Sequence, residues 1–208
     1  MDWRSSRLVK ATTIALACGW LASHAAQAAD AKGNFAVNGI GATSCAETVG
    51  AIQHGHAAVR AELSSWLMGY ITALNRVDHN TFDIMAIQSP VAVTNLVLNV
   101  CSKNSKDNVE GVTNSILKLF SSIKLTKSSS LMTVSFDGKS VNIRKNTMKK
   151  LQEFLKKHKF LNGPADGNYG TETQAAIKSF QAHEKLLVNS LPDAETVIQA
   201  LIIPGIKK

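Results

Sequence analysis

The sequence predicts a mainly α protein in which two small helical modules are joined by a β-hairpin. Three observations carry that prediction. Apolar residues recur at three- and four-residue steps through residues 42–123 and again through 146–203. An Asp137-Gly138 pair separates two alternating runs at residues 131–144. Charge also divides the chain: residues 30–123 hold six basic and seven acidic side chains, whereas residues 124–208 hold 14 and seven, so most of the net +8 falls on the second part. With 208 residues, 45% of them apolar and 18% charged, one or two small domains fit; low-complexity, collagen-like and polytopic membrane classes do not.

Residues 1–28 have the layout of a secretory signal peptide. Arg4, Arg7 and Lys10 precede the apolar stretch Ala11–Ala22, and Ala26-Gln27-Ala28 offers small residues to a peptidase. The expectation is an exported, periplasmic protein of Gram-negative type, with no membrane span after cleavage. An uncleaved N-terminal anchor and lipidation at Cys18, behind Ala15-Leu16-Ala17, stay open as alternatives. Residues 29–41 are expected to be flexible. Loss of the leader leaves Cys45 and Cys101, which in an oxidising compartment read as a disulfide. That bond closes a 56-residue separation, worth roughly 4 kcal/mol in the chain-entropy picture. Metal binding with His54 and His56 competes, but two distant cysteines and a local His pair match no known ligand spacing. No metal or other cofactor is expected.

In residues 42–123, Val59, Leu63, Trp66, Leu67, Tyr70 and Leu74 form one helical stripe. Ser89-Pro90 reads as a helix start, a capping hydroxyl followed by a fixed φ. Val93, Leu96, Val97 and Val100 follow it up to Cys101. Ser105 is then expected to cap a further helix, with Asp107 in its first turn and Val109, Val112, Ile116 and Phe120 on its apolar face. Ser44-Cys45, the run Trp66-Leu67-Met68-Gly69-Tyr70-Ile71 leading to Asn75, and Cys101 before a polar turn make this segment resemble the periplasmic helical proteins of the HdeA and Rap1a/Tai type. That resemblance implies a disulfide-tied helical domain. It brings in acid-stress chaperones and immunity proteins that neutralise wall-degrading toxins.

Residues 124–145 read as a linker with a hairpin. Asp137-Gly138 tolerates the positive φ of a tight turn, which sets Phe136 opposite Lys139, Val134 opposite Val141 and Met132 opposite Ile143. One face is then apolar and should pack on a neighbour, since a lone hairpin is marginal in water. Lys127 and Ser128–Ser130 are expected to form a flexible joint.

From Asn146 a capped helix carries Met148, Leu151, Phe154 and Leu155 on one side. A turn-rich stretch from Asn162 to Gly170 follows, and Thr171 with Gln174 makes a capping-box pattern for the next helix. Val197, Ile198 and Leu201 mark a third. The spaced set Leu151-Gln152, Leu155, Asp166-Gly167, Tyr169-Gly170, Thr173, Ala176-Ile177 and Phe180-Gln181 resembles the peptidoglycan-binding-like three-helix domain. The resemblance implies a non-catalytic module that holds secreted proteins on the cell wall. Carried residue by residue, it makes Asp166, Gly167, Tyr169, Gly170, Thr173, Gln174 and Gln181 the candidate peptidoglycan-binding set. The family's second Asp-Gly turn is replaced here by Val188-Asn189-Ser190-Leu191-Pro192-Asp193, which puts the binding surface on that side in doubt. Lys149, Lys150, Lys156, Lys157 and Lys159 add a basic rim.

Catalytic groupings do not emerge. The remaining cysteines form one pair, no Gly-x-Ser-x-Gly elbow is present, and His54, His56, His79, His158 and His183 are scattered without acidic partners at ligand spacing. The expectation is a non-enzymatic protein that docks on peptidoglycan through its C-terminal domain and engages a periplasmic protein partner through its N-terminal one. The rival is a chaperone or toxin-neutralising protein that uses the C-terminal domain as an interaction scaffold. Self-association into a homo-oligomer stays open, and no nucleic acid is expected as a partner.

Overall fold

The computed structural model describes residues 29–30 and 32–206; the leader, its cleavage site and Cys18 lie outside them. The chain divides after Ala36. In the first unit, Asp30 Oδ1 accepts from the backbone N–H groups of Lys32 and Asn34 at 2.9 and 2.8 Å, a local turn. The second unit, residues 37–208, holds all the helices described below and the hairpin.

Helix α1 spans Cys45–Gln53, opened by Ser44, whose hydroxyl accepts from Glu47 N. Helix α2 spans Ala57–Val77 and buries Leu63, Leu67 and Ile71; Val59, Trp66, Tyr70 and Leu74 of the expected stripe are half-buried beside them. Helix α3 spans Pro90–Cys101, with Ser89 capping Ala92 N as expected. Cys45 and Cys101 are bonded, so the cross-link ties the first turn of α1 to the last of α3. Helix α4 spans Val109–Phe120, and here the expected cap is wrong. Asn108, not Ser105, accepts from Gly111 N, at 2.7 Å. The carbonyls of Ser105 and Asp107 are instead taken by Ala46 N and Cys45 N, which pins this turn to the start of α1 and delays the helix.

Order also begins earlier than the sequence suggests. Residues Gly39–Ala42 make one tight helical turn in which Ile40 and Gly41 are buried. A Cβ on Gly41 would lie 2.1 Å from the Trp66 ring, and Trp66 Nε1 donates to Asn38 O at 2.9 Å. The indole thus fastens down a segment expected to be flexible.

Strands β1, Leu131–Phe136, and β2, Lys139–Arg144, pair in the expected register, with Asp137 and Gly138 at φ 49° and 70°. Val134 and Ile143 are buried. Helix α5, Lys145–Lys157, runs straight on from β2; α6 spans Thr171–His183, α7 spans Ala194–Leu201, and one last turn covers Ile203–Ile206. The stretch before the hairpin is fixed rather than a joint. Ser129 is 8% exposed. Its hydroxyl accepts from Asn146 N at 2.9 Å, and the Ser130 carbonyl accepts from Lys145 N at the same distance. The linker therefore caps α5, whose own flanking residue supplies no side-chain cap.

Both helical parts and the hairpin share a single apolar cluster running from Leu63 and Val97 through Ile143 to Leu151 and Ile177. The segment after α2 completes the junction. Ile84–Ile87 are all buried, and the Asp83 and Leu125 backbones pair through Leu125 N to Asp83 O at 2.8 Å. The buried Asp83 carboxylate accepts from Arg144 Nε, and the Arg144 guanidinium lies 4.9 Å over the Phe82 ring. Among the described residues no helix is long and apolar enough to cross a membrane.

Candidate functional site

Two glutamines organise the C-terminal helices. Gln152 on α5 is fully buried; its Oε1 accepts from Gly167 N at 2.7 Å, and its Nε2 donates to Asn168 O and Thr173 Oγ1 at 2.8 and 2.9 Å. Gln181 on α6 repeats the arrangement. Its Oε1 accepts from Asn189 N and Ser190 N, and its Nε2 donates to Leu191 O and Thr196 Oγ1, all at 2.9–3.0 Å. Each amide replaces the hydrogen bonds that a turn would otherwise seek from water. Gly167 and Ser190 hold equivalent places, six residues before Thr173 and Thr196, and both have positive φ, 82° and 60°. Gly167 is constrained further, because a Cβ there would sit 2.7 Å from Lys145 O.

The candidate residues fall into two groups around this frame. Gly167, Thr173 and Gln181 are buried, the last two at 4% and 0%, and the polar atoms of Thr173 and Gln181 hold turns rather than facing outward. Asp166 and Gly170 are exposed, and Tyr169 and Gln174 half-exposed, on or beside the first turn. Asp166 accepts from Asn168 N and Asn168 Nδ2 at 2.8 and 2.7 Å; the backbone bond chiefly holds its carboxyl below the usual 3.8. Tyr169 donates its hydroxyl to Ser190 O at 2.8 Å and so clasps the two turns together, while partial burial raises its phenol above the ordinary 10. Its ring edge, not its hydroxyl, is what remains to meet a ligand. The Thr171–Gln174 capping box does not form. Gly170 flanks α6 without a side-chain cap, and Gln174 N bonds to Gly170 O, since Gln152 and Thr173 already hold the turn ahead of it.

The second turn is placed differently. Ser190, Leu191 and Pro192 are buried. Pro192 and Asp193 line a cleft of about 490 Å³ shared with the start of α3 and with β2. The side where the glycines are missing thus faces the rest of the chain, and the glycine-bearing corner faces solvent. Nothing at sequence level identified Gln152 as the partner of that corner, although its twin Gln181 was a candidate; the equal six-residue step from Gly167 to Thr173 and from Ser190 to Thr196 is the signal that pairs the two turns. Among the described residues no three His, Cys, Asp or Glu side chains gather closely enough to hold a metal ion.

Helices α5, α6 and α7 thus form a trio with one solvent-facing, glycine-bent corner. Residues 144–199 match the family described as "Putative peptidoglycan binding domain". That match makes this segment a peptidoglycan-binding-like domain and supports association with peptidoglycan. No curated protein and no solved structure matches the chain.

Proposed function

We propose that this protein is a non-enzymatic, exported wall-docking protein, held on peptidoglycan by the helices from Lys145 to Leu201, while the helices from Cys45 to Phe120 engage a protein partner. The observation that carries the reading is the Asp166–Gly170 corner inside the matched segment, where Asp166, Asn168 and Gly170 are exposed and Tyr169 half-exposed. Peptidoglycan offers sugar rings, amides and carboxylates, which suit a shallow surface of amide groups and an aromatic edge with lysines nearby. The leader-like residues 1–28 support export, and the Cys45–Cys101 bond is of the kind that persists in oxidising compartments.

Because the helical parts share one core, the test uses the full chain and not a truncation. Asn168→Ala combined with Gln174→Ala changes two side chains at the surface while leaving the Gln152 hydrogen bonds, which go to backbone at this corner, in place. Sedimentation with purified sacculi should show at least tenfold weaker binding by the double variant at unchanged melting temperature. Affinity for one such module should lie on the order of micromolar to millimolar. Equal sedimentation of both proteins removes this corner from the docking surface, and absence of sedimentation by either removes wall docking.

A further inference from the structure

At the far ends of α5 and α6 lies a second feature that the corner does not explain. A pocket of about 330 Å³ is floored by Phe154, Phe160 and Phe180 and rimmed by His158, His183, Glu184 and Gln199. The rings are set edge to face: Phe160 and Phe154 each lie 5.5 Å from Phe180, and Phe160 lies 5.4 Å from the His183 imidazole. Across the rim, Gln199 Nε2 donates to Glu184 Oε2 at 2.8 Å, and His183 Nδ1 lies 2.9 Å from Glu184 Oε1. His158 packs on Phe154 with centroids 4.3 Å apart.

His183 has 67% of its side chain exposed, and an exposed ion pair contributes on the order of 0–1 kcal/mol at most. Two side chains, His183 from the end of α6 and Gln199 from α7, hold the Glu184 carboxylate in place. An aromatic floor beneath fixed polar groups that both donate and accept is complementary to a pyranose ring, which has an apolar C–H face and a belt of hydroxyl and acetamido groups. Groups already held in place lose little freedom on binding.

We infer that this pocket is a glycan subsite, taking the N-acetylated amino sugars of peptidoglycan strands against Phe154 and Phe160, with Glu184, Gln199 and the two imidazoles hydrogen-bonding the ring substituents. The inference rests on the wall-docking reading and assigns the sugar to a place distinct from the Asp166–Gly170 corner. Phe154 lies nine residues along α5 from Lys145, whose carbonyl abuts Gly167, which is roughly 14 Å along the helix axis.

The experiment titrates full-length protein with peptide-free glycan strands, and separately with sugar-free stem peptides, alongside sacculus sedimentation. Gln199→Ala and His158→Ala alter the rim, and Phe160→Leu keeps the apolar volume but removes the ring; melting temperatures confirm that each is folded. Binding of glycan strands by the parent protein, weakened at least fivefold in Gln199→Ala and in Phe160→Leu, bears the inference out. If the protein sediments with sacculi but ignores glycan strands, or if the folded variants bind them like the parent, the subsite is overturned and wall docking stands. If the protein fails to sediment at all, the docking reading falls and takes the subsite with it.

Discussion

Gln152 and Gln181 are side chains on which a whole turn depends. Replacing Gln152 by Leu would leave Gly167 N and Thr173 Oγ1 without their buried partner, and an unsatisfied buried group costs about 1–3 kcal/mol. Gln152→Leu should therefore lower unfolding free energy by about 3 kcal/mol in a urea titration; a loss below about 1 kcal/mol would show that the turn finds other partners. Tyr70 makes a different statement. It stacks on Trp66 with centroids 5.0 Å apart and donates to the buried Glu110 carboxylate at 2.6 Å. Burial, then that hydrogen bond, raises its phenol above the usual 10. A raised value means the folded state prefers the protonated phenol, so this stabilisation is complete below pH 10 and is lost as pH rises beyond it. Melting temperature should fall more steeply above pH 10 in the parent than in Tyr70→Phe. Parallel curves would contradict the assignment.

Among the elements, β2 and its last residue carry the connection between the two helical parts. Arg144 reaches Asp83 and the Ser129 carbonyl while lying over Phe82. Removing one partner of such a pair strands the other as a buried charge, at about 3–5 kcal/mol. Arg144→Ala should lose about 3 kcal/mol, whereas Arg144→Ala with Asp83→Ala should recover part of it, measured as a double-mutant cycle. Independent, additive losses would mean the contact is not coupled. Local signals made much of this scale legible. The hairpin register followed from Asp137-Gly138 and alternation, and the Ser89-Pro90 start from residue chemistry alone. The caps of α5 and α6 were not legible, because distant groups decide them: Asn146 N by Ser129, and the corner before α6 by Gln152; α4 has a local cap in Asn108, but the bonds of the Ser105 and Asp107 carbonyls to α1 moved its start past the expected one.

For the molecule as a whole, composition and spacing pointed to two modules, and the folded chain joins them through one apolar cluster. Unfolding of residues 37–208 should accordingly be a single cooperative transition, with two resolved transitions as the contrary result. Reduction of Cys45–Cys101 should lower stability by roughly 4 kcal/mol without splitting that transition. Of the candidate site, the corner's exposed residues were readable from the turn pattern; for Thr173 and Gln181 the sequence left ligand contact and helix packing or capping both open, since a polar residue in a motif looks alike whether it meets a ligand or a backbone amide, and their burial decides for packing.

Ser129, finally, sets where this docking unit can be cut. The family match begins at residue 144, yet the amide of Asn146 is satisfied from fifteen residues before that boundary, and Ile143 fills space beneath the helices. A graft that starts at the match would begin with a frayed helix and a bare apolar flank. Carrying these three helices elsewhere would require the chain from Ser128 with its hairpin, and also a cover for the apolar cluster they share with the N-terminal helices.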